Sequence, residues 1–139
     1  MKAKHIISEA LILFAIFQYS CEPELNLDRC DLCTEYVPGE GKVLLDITIN
    51  EENPEVIFYT YEGKDTDATP VRIDTTTSET KAIFLKTEQH YSFEAVYSEG
   101  NKKIHAFDGG EIGIREIECD DEPCYYANVL NIDLTLIKD

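Results

Sequence analysis

Tyr91-Ser92-Phe93-Glu94-Ala95-Val96-Tyr97 alternates strictly, with Tyr91, Phe93, Ala95 and Tyr97 on one side of an extended chain and Ser92 and Glu94 on the other. Successive side chains of a strand point to opposite faces, so this is the pattern of a half-buried β-strand. Ser98-Glu99-Gly100-Asn101 follows as a hairpin turn into a second strand, Lys103-Ile104-His105-Ala106-Phe107. A polar, glycine-bearing tetrapeptide between two alternating runs is the ordinary sign of that connection.

The same period of two recurs on both sides. In residues 43–50, Leu45, Ile47 and Ile49 share a face opposite Asp46, Thr48 and Asn50. The polar turn Glu51-Glu52-Asn53-Pro54 leads to Val56-Ile57-Phe58-Tyr59-Thr60-Tyr61, rich in β-branched and aromatic residues. Gly63-Lys64-Asp65-Thr66-Asp67 reads as a loop, Val71 with Ile73 as a short strand, and residues 83–85 as another. Downstream, Asp108-Gly109-Gly110 reads as a turn, Ile112 and Ile114 as the start of a short strand, and residues 130–136 as a last alternating one. Seven or eight short strands with no amphipathic helix between them predict a single antiparallel β-sandwich over residues 42–139, of immunoglobulin-like or transthyretin-like character. An open barrel is the alternative.

Residues 1–20 have a different composition. Lys2 and Lys4 precede Ala10-Leu11-Ile12-Leu13-Phe14-Ala15-Ile16-Phe17, the order of a basic head and an apolar core in an export signal. The run is about a dozen residues long, against the roughly 20 needed to span a bilayer. It ends at Gln18-Tyr19-Ser20-Cys21, and residues 21–41 form an acidic lead-in with Pro23, Pro38 and the element Cys30-Asp31-Leu32-Cys33.

Five cysteines is an odd number for an exported chain. Four fall in close pairs, Cys30 with Cys33 and Cys119 with Cys124, and Cys21 stands alone at the end of the apolar run. One modified cysteine and two disulfides account for all five. Four cysteines allow three connectivities, and the sequence does not choose among them. A bridge across about 90 residues would contribute about 4.6 kcal/mol by loop entropy and tie the lead-in to the last hairpin. Pairing Cys119 locally with Cys124 is geometrically ordinary. Two further readings weigh less: a four-cysteine zinc site, for which Cys119-Asp120-Asp121-Glu122-Pro123-Cys124 is a long knuckle, and thiol exchange at Cys30 and Cys33, where Asp28, Asp31 and Glu35 oppose the thiolate against Arg29 alone. We expect no metal ligands and no cofactor.

After residue 20 the chain carries 10 Lys and Arg against 27 Asp and Glu, a formal charge of −17. That surface repels phosphate backbones and anionic bilayers, so nucleic acid is an unsuitable partner and membrane attachment requires a covalent anchor. No His-Glu-x-x-His, P-loop or Gly-x-Gly-x-x-Gly motif occurs. His90 and His105 have no Gly-x-Ser-x-Gly serine beside them, and no enzyme activity is expected. Asp65-Thr66-Asp67 and Asp120-Asp121-Glu122 are partial carboxylate sets for a divalent cation, lacking the glycine and distal glutamate of an EF-hand loop. Tyr59, Tyr61, Tyr97, Tyr125 and Tyr126 are candidates for an aromatic platform toward a glycan or a protein; in a sandwich, packing is the favoured role for most of them, and of Tyr125-Tyr126 one must face outward.

Ser20-Cys21 after the apolar run, Glu22-Pro23-Glu24 after the cysteine, and the elements 91–97, 104–109 and 119–126 with the final strand resemble small outer-membrane lipoproteins of the Bacteroidota that carry a β-sandwich domain. Asp74-Thr75-Thr76 resembles the short O-glycosylation acceptor motif of that group. The resemblance implies acylation at Cys21 and surface display on the outer membrane, and it brings no activity. The expected protein is a non-catalytic envelope lipoprotein serving as an interaction or structural module, with a glycan- or divalent-cation-binding module as the alternative.

Overall fold

The computed structural model describes residues 29–137. The expected export segment 1–20, Cys21 and the first part of the expected lead-in lie outside the described residues. What is described is all β. After a 3-10 turn at Arg29–Leu32 come β1 (Glu40–Ile47), β2 (Val56–Glu62), β3 (Arg72–Thr76), β4 (Thr80–Lys86), β5 (Gln89–Glu99), β6 (Lys102–Ile112), β7 (Ile114–Cys119), β8 (Glu122–Ala127) and β9 (Leu130–Leu134). They form a three-stranded sheet in the order β4-β1-β9, a four-stranded sheet β3-β2-β5-β6, and the ribbon β7-β8.

The alternation decides which face is covered. Tyr91, Phe93, Ala95 and Tyr97 of β5 join Val56 and Phe58 of β2 in one buried cluster with Val43, Leu45, Ile47, Ile83, Ile132 and Leu134 of the three-stranded sheet. Each of the two larger sheets therefore gives one face to a shared apolar core, the main favourable term in folding. Tyr97 is fully buried, and its hydroxyl crosses between the layers, donating to the Leu134 carbonyl at 2.6 Å and accepting from the Thr48 N–H at 3.1 Å.

Three expectations change. The pairing is not wholly antiparallel: β9 runs parallel to β1, with Val43 opposite Leu130 and Ile47 opposite Leu134. The cause is local. β7 and β8 leave on their own ribbon, and the chain returns at Ala127 and Asn128 beside Gly41, near the start of β1. A Cβ on Gly41 would stand 2.3 Å from Ile112 Cγ2, so this approach requires glycine. The strands number nine among the described residues, because residues 122–127 also pair. Finally, Asp108-Gly109-Gly110 is not a turn but the middle of the 11-residue β6. Gly109 faces Ser92, where a Cβ would meet the Tyr91 carbonyl oxygen at 2.8 Å. Its glycine serves close backbone approach, which sequence cannot tell from a turn.

The cysteines are joined across the chain, not locally: Cys33 bonds Cys124 over 91 residues, with Cα atoms 5.5 Å apart, and Cys30 bonds Cys119. Asp120 and Asp121, both at positive φ (53° and 65°), make the two-residue turn of the β7–β8 ribbon. In that register Cys124 lies opposite Ile117, so Cys119 and Cys124 share a face of the ribbon. Thr34 extends the ribbon by one bridge, exchanging two 2.8 Å hydrogen bonds with Tyr125. Thr87 holds the next residues, donating its hydroxyl to the Pro38 carbonyl at 2.7 Å.

Candidate interaction surface

β5 lies between β2 and β6, and its even-numbered residues point away from the core. The register lays out rows on this outer face. Ile73, Tyr59, Glu94 and Phe107 form one row across four strands, and Ile57, Val96 and His105 part of the next. Ile57, Ile73 and Phe107 are between 42% and 59% exposed on this face.

Glu94 sits at the centre and is the polar anchor. Tyr61 Oη donates to Glu94 Oε2 at 2.5 Å, and His105 Nδ1 lies 2.5 Å from Glu94 Oε1. The Glu94 side chain is 13% exposed, whereas that of His105 is 45% exposed. Burial, followed by the hydrogen bond to Glu94 and the charge of Glu94, pushes the Tyr61 phenol up to about 12, so it stays a proton donor at neutral pH. The imidazole is thereby held by Nδ1, with Nε2 turned away from the carboxylate. Tyr59 stacks on Tyr61 with ring centroids 6.5 Å apart, and His105 on Phe107 at 6.2 Å. The face thus combines rings, a fixed carboxylate and an outward imidazole nitrogen.

His105 and Phe107 also border a second feature. A groove of about 780 Å³ runs along the edge of β6 toward the end of β9. Ile104, Ala106 and Leu136, packed on the core, make its apolar floor, and Glu52, Glu99 and Asp133 stand around it, with no Lys or Arg in the lining. Among the described residues β6 pairs with β5 on one side alone. The Ile112 carbonyl turns to β5, accepting from the Glu88 N–H at 2.7 Å, while the Glu111 carbonyl turns outward to Asn128 Nδ2. Alternation then points the backbone groups of Lys103, His105 and Phe107 outward. Gly109 N–H, next in the series, is taken by Asp108 Oδ1 at 2.8 Å, and the other oxygen of Asp108 accepts from Asp133 N–H at 2.8 Å. Lys103, His105 and Phe107 have no such partner among the described residues, and His105 and Phe107 line the groove.

The residues singled out from sequence fall as follows. Tyr97 is core and Tyr61 is buried on the outer face, while Tyr59, Tyr125 and Tyr126 are half-buried. Asp65 accepts from the Asp67 backbone N–H at 2.8 Å within its own loop, and Asp120 and Asp121 make the ribbon turn. Thr75 is exposed on β3. The four paired cysteines meet at the ribbon, with Cys33 Sγ 3.7 Å from Cys119 Sγ. Glu94 was not singled out from sequence. A two-residue turn at Gly100 and Asn101 would have placed it diagonally across from His105, and that register was the available signal.

No family model matches this chain, and no curated protein and no solved structure matches it.

Proposed function

We propose that this chain is a non-catalytic envelope lipoprotein. In this reading residues 1–20 are the export signal, Cys21 is the acylated residue, and the two facing sheets are a β-sandwich of immunoglobulin-like or transthyretin-like kind, displayed at the outer membrane as an interaction module. The observation that carries the reading is the cysteine pairing. Two bridges use Cys30, Cys33, Cys119 and Cys124, and the remaining cysteine is the one at the end of the apolar run. Bridges of this kind persist in oxidising compartments. A charge of −17 offers no electrostatic hold on an anionic bilayer, which favours a covalent anchor, and it disfavours nucleic acid.

The test is fractionation of cells carrying the wild-type chain or Cys21→Ala, followed by protease treatment of intact cells. Wild type is expected in the outer membrane and protease-accessible, and Cys21→Ala soluble. A wild-type chain that is soluble and unacylated in the periplasm would contradict the reading.

A second reading has its own support. The half-buried Tyr59, backed by the buried Tyr61, together with Glu94 and the outward imidazole of His105, suits the apolar face and hydroxyl rim of a sugar ring. Thermal-shift screening against glycans tests it, and an unmoved midpoint at millimolar sugar would count against it.

A further inference from the structure

We infer that the free edge of β6 is a docking site for an extended basic peptide segment, which adds as a further strand beside residues 103–107. The inference rests on the reading of the chain as an interaction module and names the chemistry of its partner.

An unpaired strand edge presents a row of amides and carbonyls that template another strand, and proteins ordinarily blunt such edges. Here the blunting is partial. Asp108 occupies the outward amide of Gly109 and ties the edge to β9 through Asp133. The outward groups of Lys103, His105 and Phe107 are left to a ligand, over a length that suits a short strand. Beside them is the groove, with Ile104, Ala106 and Leu136 to receive one set of alternating side chains. The other set passes Phe107, 55% exposed, whose ring face favours a lysine or arginine.

The charge of the groove selects among occupants. Glu52 is fixed by accepting from the Gly100 N–H at 2.6 Å, and Asp133 accepts twice from Thr135, at 3.0 and 2.6 Å. With Glu99 they make three carboxylates in the lining, against one ammonium at its rim, Lys103 Nζ, which donates to Ser98 Oγ at 2.8 Å. A second copy of this chain, with its own −17, meets that field unfavourably, and so does the chain's acidic lead-in with Glu22, Glu24 and Asp28. A segment alternating apolar and basic residues satisfies the amides, the floor and the carboxylates together.

The experiment follows backbone amide hydrogen exchange by NMR while a short, end-blocked peptide of alternating Lys and Val is added, with a Glu–Val peptide as control. The amides of Lys103, His105 and Phe107 are expected to slow, in alternation with Ile104 and Ala106, which already face β5. The Glu–Val peptide should leave them unchanged. Phe107→Pro removes an outward N–H without taking a bond from the β5–β6 ladder, and it should weaken binding more than tenfold. Glu99→Lys, on the exposed rim, should weaken it while leaving the fold intact, and added salt should do the same to wild type. No slowing at millimolar Lys–Val peptide, equal slowing with Glu–Val, or slowing that grows with protein concentration and no peptide would each overturn the inference, the last by showing a second copy on β6. Perturbation confined to Tyr59 and Tyr61 would also overturn it, placing the partner on the outer face and leaving the interaction module standing. Failure of the anchored reading shows separately, in the fractionation of Cys21→Ala.

Discussion

Tyr97 of β5 donates its hydroxyl proton to the carbonyl of Leu134 in β9 at 2.6 Å, joining the four-stranded sheet to the three-stranded one inside the core. The bond is buried, and the same oxygen accepts from the Thr48 N–H. Tyr97→Phe keeps the ring and strands both backbone groups. The expected loss is about 1–3 kcal/mol, the cost of unsatisfied buried polar groups, read as a lower urea midpoint at unchanged slope. A midpoint equal to wild type would mean that the hydroxyl does not tie the layers.

Thr60 gives the opposite sign. It is fully buried in β2 and its hydroxyl has no hydrogen-bond partner among the described residues. Thr60→Val exchanges that hydroxyl for a methyl of nearly the same volume. Removing an unpaired buried hydroxyl is expected to raise stability by about 1 kcal/mol, measured by the same denaturation. A loss would show that the hydroxyl is satisfied in solution.

The two disulfides should not add. A bridge across 91 residues contributes about 4.6 kcal/mol by loop entropy. Once it is closed, the second bridge closes a loop of about nine residues and adds about 2.6 kcal/mol. Cys33→Ser with Cys124→Ser, or Cys30→Ser with Cys119→Ser, should therefore cost about 2.6 kcal/mol each, and all four substitutions about 7 kcal/mol. A quadruple variant whose loss equals the sum of the two pairs would contradict this nesting.

Alkaline pH should destabilise the fold through its buried phenols. Burial is the leading cause that raises Tyr61, to about 12, and also Tyr91 and Tyr97. An unfolded tyrosine titrates near 10. Between about 10 and about 12 the unfolded chain has released protons that the folded chain retains, so stability falls as pH rises through that window and is unaffected by these groups below it. Urea midpoints between pH 9 and 12, with phenolate absorbance alongside, should show this fall, and Tyr61→Phe should make it shallower. A midpoint independent of pH across the window would argue against the burial of these rings.

Much of the fold was legible because one rule produced it. Tyr91, Phe93, Ala95 and Tyr97 alternate with Ser92 and Glu94, and a two-residue period on a half-buried sheet has one solution. The turn at Gly100 was legible for the same local reason. The parallel return of β9 was not, because it depends on where Ala127 arrives relative to Gly41, a contact across 86 residues of chain. Gly109 misled, since a glycine needed for approach to the Tyr91 carbonyl reads like a turn. Asn53 is part of the polar turn that the sequence predicts, and it is also 5% exposed and bonds both backbone groups of Ser98, at 2.7 and 3.0 Å. Its role depends on a loop folding back onto β5, which no local pattern reports. The Glu94 cluster falls between these cases, written in the hairpin register but visible only when two strands are laid side by side.

The central claim is that Cys21 carries the anchor while the other four cysteines staple the domain. Intact mass of the protein extracted from membranes, before and after reduction, tests it most directly. The expected species begins at Cys21, carries the added mass of acyl chains, and gains two hydrogens for each of its two bridges on reduction. A species without acyl mass, or one whose mass does not change on reduction, would contradict the claim.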